Sequence, residues 1–199
     1  MKKIISGIVV IVGIIIILYF LKPSPPAELT TTSEKEQPIP IEIDYKNIAY
    51  TIDGKSIKLT NGMAENSAAP DSALMITTRY FGNEYRSDVN NDGKEDVVFL
   101  LTQETGGSGV FYYAVAALKT ESGYTGSDGF LLGDRIAPQT IENSPNPRHK
   151  NVVVVNYAKR REGEPMTTPP SVGTSAYLKL DTDTMMWAIV EPNFEGEAR

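Results

Sequence analysis

The sequence predicts an all-β domain, an antiparallel sandwich or a barrel-like sheet, preceded by one N-terminal transmembrane helix and a Pro-rich linker. Three observations lead there. From residue 41 onward, short segments rich in β-branched and aromatic residues follow one another, with turn formers between them. No stretch of that region carries the apolar periodicity of an amphipathic helix. The runs 97–101, 110–118 and 152–155 are apolar at successive positions, so they belong in the middle of sheets covered on both faces.

Residues 4–21 contain no charged side chain and are dominated by Ile and Val. As a helix they would measure about 27 Å, close to the hydrocarbon thickness of a bilayer. Lys2 and Lys3 precede the stretch and Lys22 follows it, an asymmetry that favours a cytoplasmic N-terminus. Leu18-Tyr19-Phe20-Leu21-Lys22 is too bulky for a signal-peptidase site, so residues 1–22 read as an uncleaved membrane anchor rather than a leader. Residues 23–40 then turn to Pro, Thr, Ser and Glu, with Pro23, Pro25, Pro26, Pro38 and Pro40 keeping the chain extended. Such a segment buries too little apolar surface to offset its ordering entropy and reads as a disordered linker. The expectation is a single-pass cell-membrane protein whose C-terminal domain is extracytoplasmic.

Residues 41–199 are long enough for one domain with a proper core. The expected strands are 41–45, 48–52, 55–59, 74–81, 97–103, 110–118, 129–132, 152–157, 176–180 and 185–190. The region carries 15 Lys and Arg against 22 Asp and Glu, a net charge of −7 that disfavours nucleic acid and anionic lipid as general partners. Arg148-His149-Lys150 and Lys159-Arg160-Arg161 flank one strand and read as solvated loop faces in preference to a joint positive patch. The chain has no cysteine, which excludes disulfides, thiolate chemistry and lipid attachment at an N-terminal Cys.

The most informative stretch is Asp88-Val89-Asn90-Asn91-Asp92-Gly93-Lys94-Glu95-Asp96, which runs directly into an apolar strand. Asp88, Asn90, Asp92 and Asp96 place side-chain oxygens at loop positions one, three, five and nine. Gly93 takes the bend at six and Lys94 offers its carbonyl at seven, the pattern a hard cation with many oxygen ligands requires. The spacing resembles the EF-hand-like calcium loops of dockerins, thrombospondin type 3 repeats and some β-propellers, all extracytoplasmic modules. Position twelve is Phe99, so the bidentate Glu of the full helix-loop-helix pattern is missing. The resemblance therefore implies a structural Ca2+ site of weak affinity, with a dissociation constant of about 10⁻⁴ to 10⁻³ M. The competing reading is a plain β-turn, since Asp-Gly also forms hairpins, as expected at Asp53-Gly54. Turn chemistry needs two special residues and this loop has six, which favours the cation.

Two other loops attract a functional reading and lose it. Residues 103–109 are Gly-rich, but a strand rather than a helix follows them, so a hairpin turn is preferred to a phosphate cradle. Residues 162–173 form a long loop stiffened by Pro165, Pro169 and Pro170, either a binding element or a lid over one end of the sandwich. Trp187 needs no ligand to explain it within a strand. His149 is the only histidine, and with no cysteine present a nucleophilic or His-metal centre would rest on it alone. A non-catalytic module is therefore expected.

Tyr80-Phe81-Gly82-Asn83-Glu84, the Asp-rich loop, residues 107–113, Leu131-Leu132-Gly133-Asp134-Arg135-Ile136, Glu164-Pro165-Met166 and Pro169-Pro170-Ser171-Val172 stand in one order along the chain. Together they resemble a family of uncharacterised bacterial envelope proteins, secreted or membrane-anchored. The resemblance implies location and fold class and transfers no catalytic residue. The expected function is a binding or scaffolding role toward an envelope protein or glycan. The alternatives are inhibition of an envelope hydrolase in the manner of lysozyme inhibitors and, more distantly, a carboxylate-based hydrolase.

Overall fold

The computed structural model describes residues 44–192, which belong to one compact unit, Ile41–Arg199. The expected anchor at 1–22, the linker at 23–40 and the first part of the strand at 41–45 lie outside the described residues. Where that strand was expected to end, Tyr45–Asn47 form a 3-10 turn instead, and the Asp44 carboxylate accepts the Lys46 amide at 3.2 Å. An Asp that accepts a bond from the backbone two residues on favours such a turn over a strand.

Twelve strands follow, and no α-helix occurs among the described residues. The first two, β1 (Ala49–Ile52) and β2 (Lys55–Lys58), form a hairpin. Its turn is Asp53-Gly54, both at positive φ, the backbone that two-residue hairpin loops need. A larger sheet has the order β3 (Met63–Ser67), β4 (Met75–Ser87), β5 (Asp96–Glu104), β6 (Val110–Lys119) and β7 (Tyr124–Gly126). The sixth strand of that sheet, β8 (Phe130–Asp134), shares the outer edge of β6 with β7. The remaining sheet runs β12 (Met186–Ile189), β11 (Val172–Asp181), β10 (Val152–Lys159), β9 (Ala137–Asn143). All strand pairs within the sheets are antiparallel, and two isolated bridges, Thr51 with Asp128 and Thr60 with Met63, join the β1–β2 hairpin to the six-stranded sheet.

Alternation along β5 shows why that run is apolar throughout. Val98 and Leu100 enter a core that also holds Val153 and Val155 of β10 and Leu178 and Leu180 of β11. Val97, Phe99 and Leu101 enter a second core with Tyr50, Ile52 and Ile57 of the hairpin. Successive strand residues point to opposite faces, so only a strand covered on both sides needs this composition. Strand β6 divides in the same way, with Ala114 and Ala116 on one side and Val115 and Ala117 on the other. The molecule is thus layered, with the six-stranded sheet between the four-stranded sheet and the β1–β2 hairpin. The hairpin is stitched to the segment after β7: the Thr51 amide donates to the Ser127 carbonyl at 3.2 Å and the Gly129 amide to the Thr51 carbonyl at 2.7 Å.

Three strands were absent from the sequence expectations: β3, β7 and β9. Strand β4 also runs on past the expected limit at residue 81 to Ser87. Gly82 and Asn83 have positive φ there and the pairing with β5 shifts register on either side of Gly82, so a pair that reads as a turn is a bulge inside a long strand. The expected loop at 162–173 ends earlier, because Val172 and Gly173 already pair with β10. The Gly-rich stretch is the turn between β5 and β6, as expected.

Candidate metal centre

The Asp-rich loop is the connection between β4 and β5, entered after Ser87 and left at Asp96, two residues that stand opposite each other in the sheet. Val89 pins it from below, buried in the core between the sheets. Above that anchor the backbone winds around its own side chains. Asp88 accepts the Asp92 amide on Oδ1 at 3.2 Å and the Gly93 amide on Oδ2 at 2.9 Å. Asn90 Oδ1 accepts the Asp92 amide at 2.9 Å, and Asp92 Oδ1 accepts the Lys94 amide at 2.8 Å. Asn91 and Gly93 take positive φ to make this winding possible. Side-chain oxygens at positions one, three and five therefore accept amides of the loop's own backbone, while Asp92 stays exposed and Asp88 and Asn90 half-buried.

Asp96 differs from the other three. It is fully buried, its Oδ2 accepting the Val89 amide at 3.0 Å and its Oδ1 the Lys119 amide at 2.8 Å. It is a strut joining the loop to the end of β6 as well as the ninth residue of the motif, and each oxygen keeps one lone pair for a further partner. Burial pushes the Asp96 pKa up despite the two amides, and the charges of Asp92 and Asp88 push it in the same direction. Asp88 moves the other way, its carboxyl held below the usual range first by the Gly93 amide. Lys94 presents no described hydrogen bond to its carbonyl, which leaves that oxygen available at position seven. Among the described residues no three acidic or histidine side chains gather as a ready-made metal cluster. The loop's donors are a mixed set of carboxylates, one amide and one carbonyl, the kind of oxygen shell that Ca2+ accepts.

A second polar constellation was not anticipated from the sequence. Tyr45 and Tyr80 both donate to Glu84 Oε1 at 2.5 Å, Lys46 Nζ lies 3.5 Å from that oxygen, and Arg86 reaches Glu84 Oε2 at 3.4 Å. Burial alone would raise the Glu84 pKa, but the two hydroxyls and the two cations outweigh it and the pKa is lowered. Lys46 Nζ stands 4.0 Å above the Tyr80 ring. The cluster fastens the 3-10 turn to the bulged part of β4 and is read as structural.

The basic triplets stand at opposite ends of β10, an eight-residue strand about 26 Å long, and do not form one patch. His149 lies in the β9–β10 turn with Nδ1 2.7 Å from Ser144 Oγ. That hydroxyl also accepts the Asn146 amide at 3.3 Å, so the contact closes the turn. Trp187 packs against the core between the sheets, and its indole N–H finds no partner among the described residues. In comparison with protein-family models, curated proteins and solved structures, the chain finds no significant match.

Proposed function

We propose that this chain is a membrane-anchored, extracytoplasmic β module of a bacterial cell envelope, non-catalytic, that binds or scaffolds an envelope protein or glycan. In this reading its 88–96 loop takes one structural Ca2+. Asp88, Asn90, Asp92 and Asp96 supply side-chain oxygens, Lys94 its carbonyl, and water completes the shell. The observation that carries the cation is the winding of the loop: Asp88, Asn90 and Asp92 accept backbone amides of the loop itself, beside the buried Asp96 carboxylate, which feels the charges of Asp92 and Asp88. A divalent ion would relieve that repulsion. The anchor rests on the uncharged stretch at 4–21.

Calorimetric titration of the full chain in mild detergent with CaCl2 tests the site. One ion should bind with a dissociation constant of about 10⁻⁴ to 10⁻³ M, and Asp92→Ala should abolish the signal. No heat of binding with wild type, or unchanged heat in the variant, sinks the metal reading. Protease added outside spheroplasts should digest the C-terminal domain; protection there sinks the proposed orientation.

A further inference from the structure

Two strand edges that begin as a hairpin come apart and leave a gap. After β2, Asn61-Gly62 forms a second two-residue turn, with φ of 51° and 78°, closed by reciprocal bonds between Thr60 and Met63 at 2.8 and 3.1 Å. Continued zipping would pair Lys58 with Glu65 and Ser56 with Ser67. It does not continue, because β3 leaves to join β4 while β2 stays with β1. Hydrogen-bond parity fixes where the free groups point. The bond from the Leu59 amide to Ile48 makes Ile57 and Lys55 the inward residues of β2, so the amides and carbonyls of Ser56 and Lys58 point outward. The bond from the Ala68 amide to Leu74 likewise turns Glu65 and Ser67 outward on β3. None of these four residues has a described backbone partner on that side.

At the wide end of the gap lies a cavity of about 500 Å³. Ile52, Ile57 and Ile76 give it an apolar floor, and Ser56 and Ser67 stand on its two walls. The floor continues the core between the hairpin and the six-stranded sheet, which the described side chains leave unfilled at this end. An apolar molecule alone would use the floor and ignore the backbone groups. A strand uses both, since its alternate side chains enter the floor while its peptide groups meet the walls.

We propose that the gap between β2 and β3 is a strand-addition site that takes an extended segment of a partner protein, with apolar side chains at alternate positions. The segment lies between the two walls, antiparallel to one strand and parallel to the other, and bonds to the outward groups of Ser56 and Ser67. This names the partner class for the binding module proposed above and so rests on that reading. It is independent of the calcium loop, so failure of either test leaves the other standing.

The test uses the full chain in detergent and a blocked five-residue peptide of alternating Thr and Val at millimolar concentration. Amide hydrogen exchange at Ser56 and Ser67 should slow by about tenfold or more. The same peptide N-methylated at its central residue should lose most of its binding. Ser56→Pro removes an outward donor without touching the β1 ladder and should weaken binding about fivefold, the value of one neutral hydrogen bond. Ser67→Pro does the same from the other wall, so a folding defect in one variant does not decide the matter. Equal binding of the N-methylated peptide would show an apolar cavity only, and would overturn the proposal, as would no binding at all. Protection of the two amides without added peptide would place this chain, or a second copy, in the gap and would equally overturn it.

Discussion

Calcium should raise the thermal stability of this protein by a modest and calculable amount. For a site that binds only the folded state, the gain is RT ln(1 + [Ca2+]/Kd), which at 1 mM calcium and a Kd of about 10⁻⁴ M is about 1.4 kcal/mol. In a domain of this size 1 kcal/mol moves the melting temperature by about 2 to 4 °C, so the shift should be about 3 to 6 °C. The loop is already wound by four internal hydrogen bonds and pinned by Val89 before any ion arrives, so the gain is set by the dissociation constant. The assay is a set of melts of wild type and Asp92→Ala, each with 1 mM CaCl2 and with chelator. Asp92→Ala should melt alike in both solutions. Mg2+ should shift wild type less, since it requires near-octahedral geometry and gives up water reluctantly. Coincident wild-type melts with calcium and with chelator would refute the reasoning and leave a turn held by backbone geometry alone.

Other expectations concern the fold and its ionisable groups. Phe99→Ala empties a fully buried site where three tyrosine rings, Tyr45, Tyr50 and Tyr80, meet the phenyl ring, and should cost about 3 to 5 kcal/mol in urea unfolding. At Gly126 an added Cβ would sit 2.2 Å from the Ala49 carbonyl oxygen, so Gly126→Ala should push the hairpin off the sheet and cost about 1 to 3 kcal/mol, read by the same unfolding curve. Glu84→Gln should destabilise by about 1 kcal/mol, discounted for partial exposure, and should lower the Tyr45 hydroxyl pKa, which burial first and Glu84 second push up to about 12; ultraviolet titration reads it. Because the Glu84 pKa is lowered on folding, its contribution is present above the unfolded value near ~4.3 and is lost as pH falls through the folded value. Asp96 has the opposite sign: its raised pKa makes stability fall as pH rises from the unfolded value near ~3.9 through the folded one. The stability of wild type relative to Asp96→Asn in chelator should therefore fall as pH rises over that window, and a pH-independent difference would contradict the burial argument.

The parts of the fold legible in the sequence are those that burial makes repetitive. Strands β5, β6 and β10 show as uninterrupted apolar runs because both their faces are covered, and the β1–β2 hairpin shows through Asp53-Gly54. Strand β3 does not show: Met63-Ala64-Glu65-Asn66-Ser67 is mostly exposed and is held by its backbone ladder to β4, which leaves no apolar signature. The same holds for β9, whose edge position tolerates Pro138 and exposed Gln139, Thr140 and Glu142. The candidate loop was legible as spacing, since the residues proposed as ligands lie close together in the chain and so must be close in space. The second role of Asp96 was not, because the Lys119 amide that it holds lies 23 residues away. Glu84 was invisible for a similar reason, its partner Tyr45 being 39 residues distant.

Asp96 is where the proposed ion and the fold meet. Its carboxylate holds the Val89 amide, Val89 is buried between the sheets, and the Lys119 amide that it also holds ends the strand next to β5. The folded chain thus keeps a carboxylate out of water and within the field of two others, an arrangement that costs stability whenever all three are charged. Two neutral backbone donors compensate for it only in part, as the raised pKa shows. A cation shared with Asp88 and Asp92 would compensate the remainder at the same point, and its effect would pass through existing hydrogen bonds to β5 and β6. Calcium bound there would accordingly tighten the central strands of the six-stranded sheet as well as the loop, so slower amide exchange should extend to Val89 and Lys119.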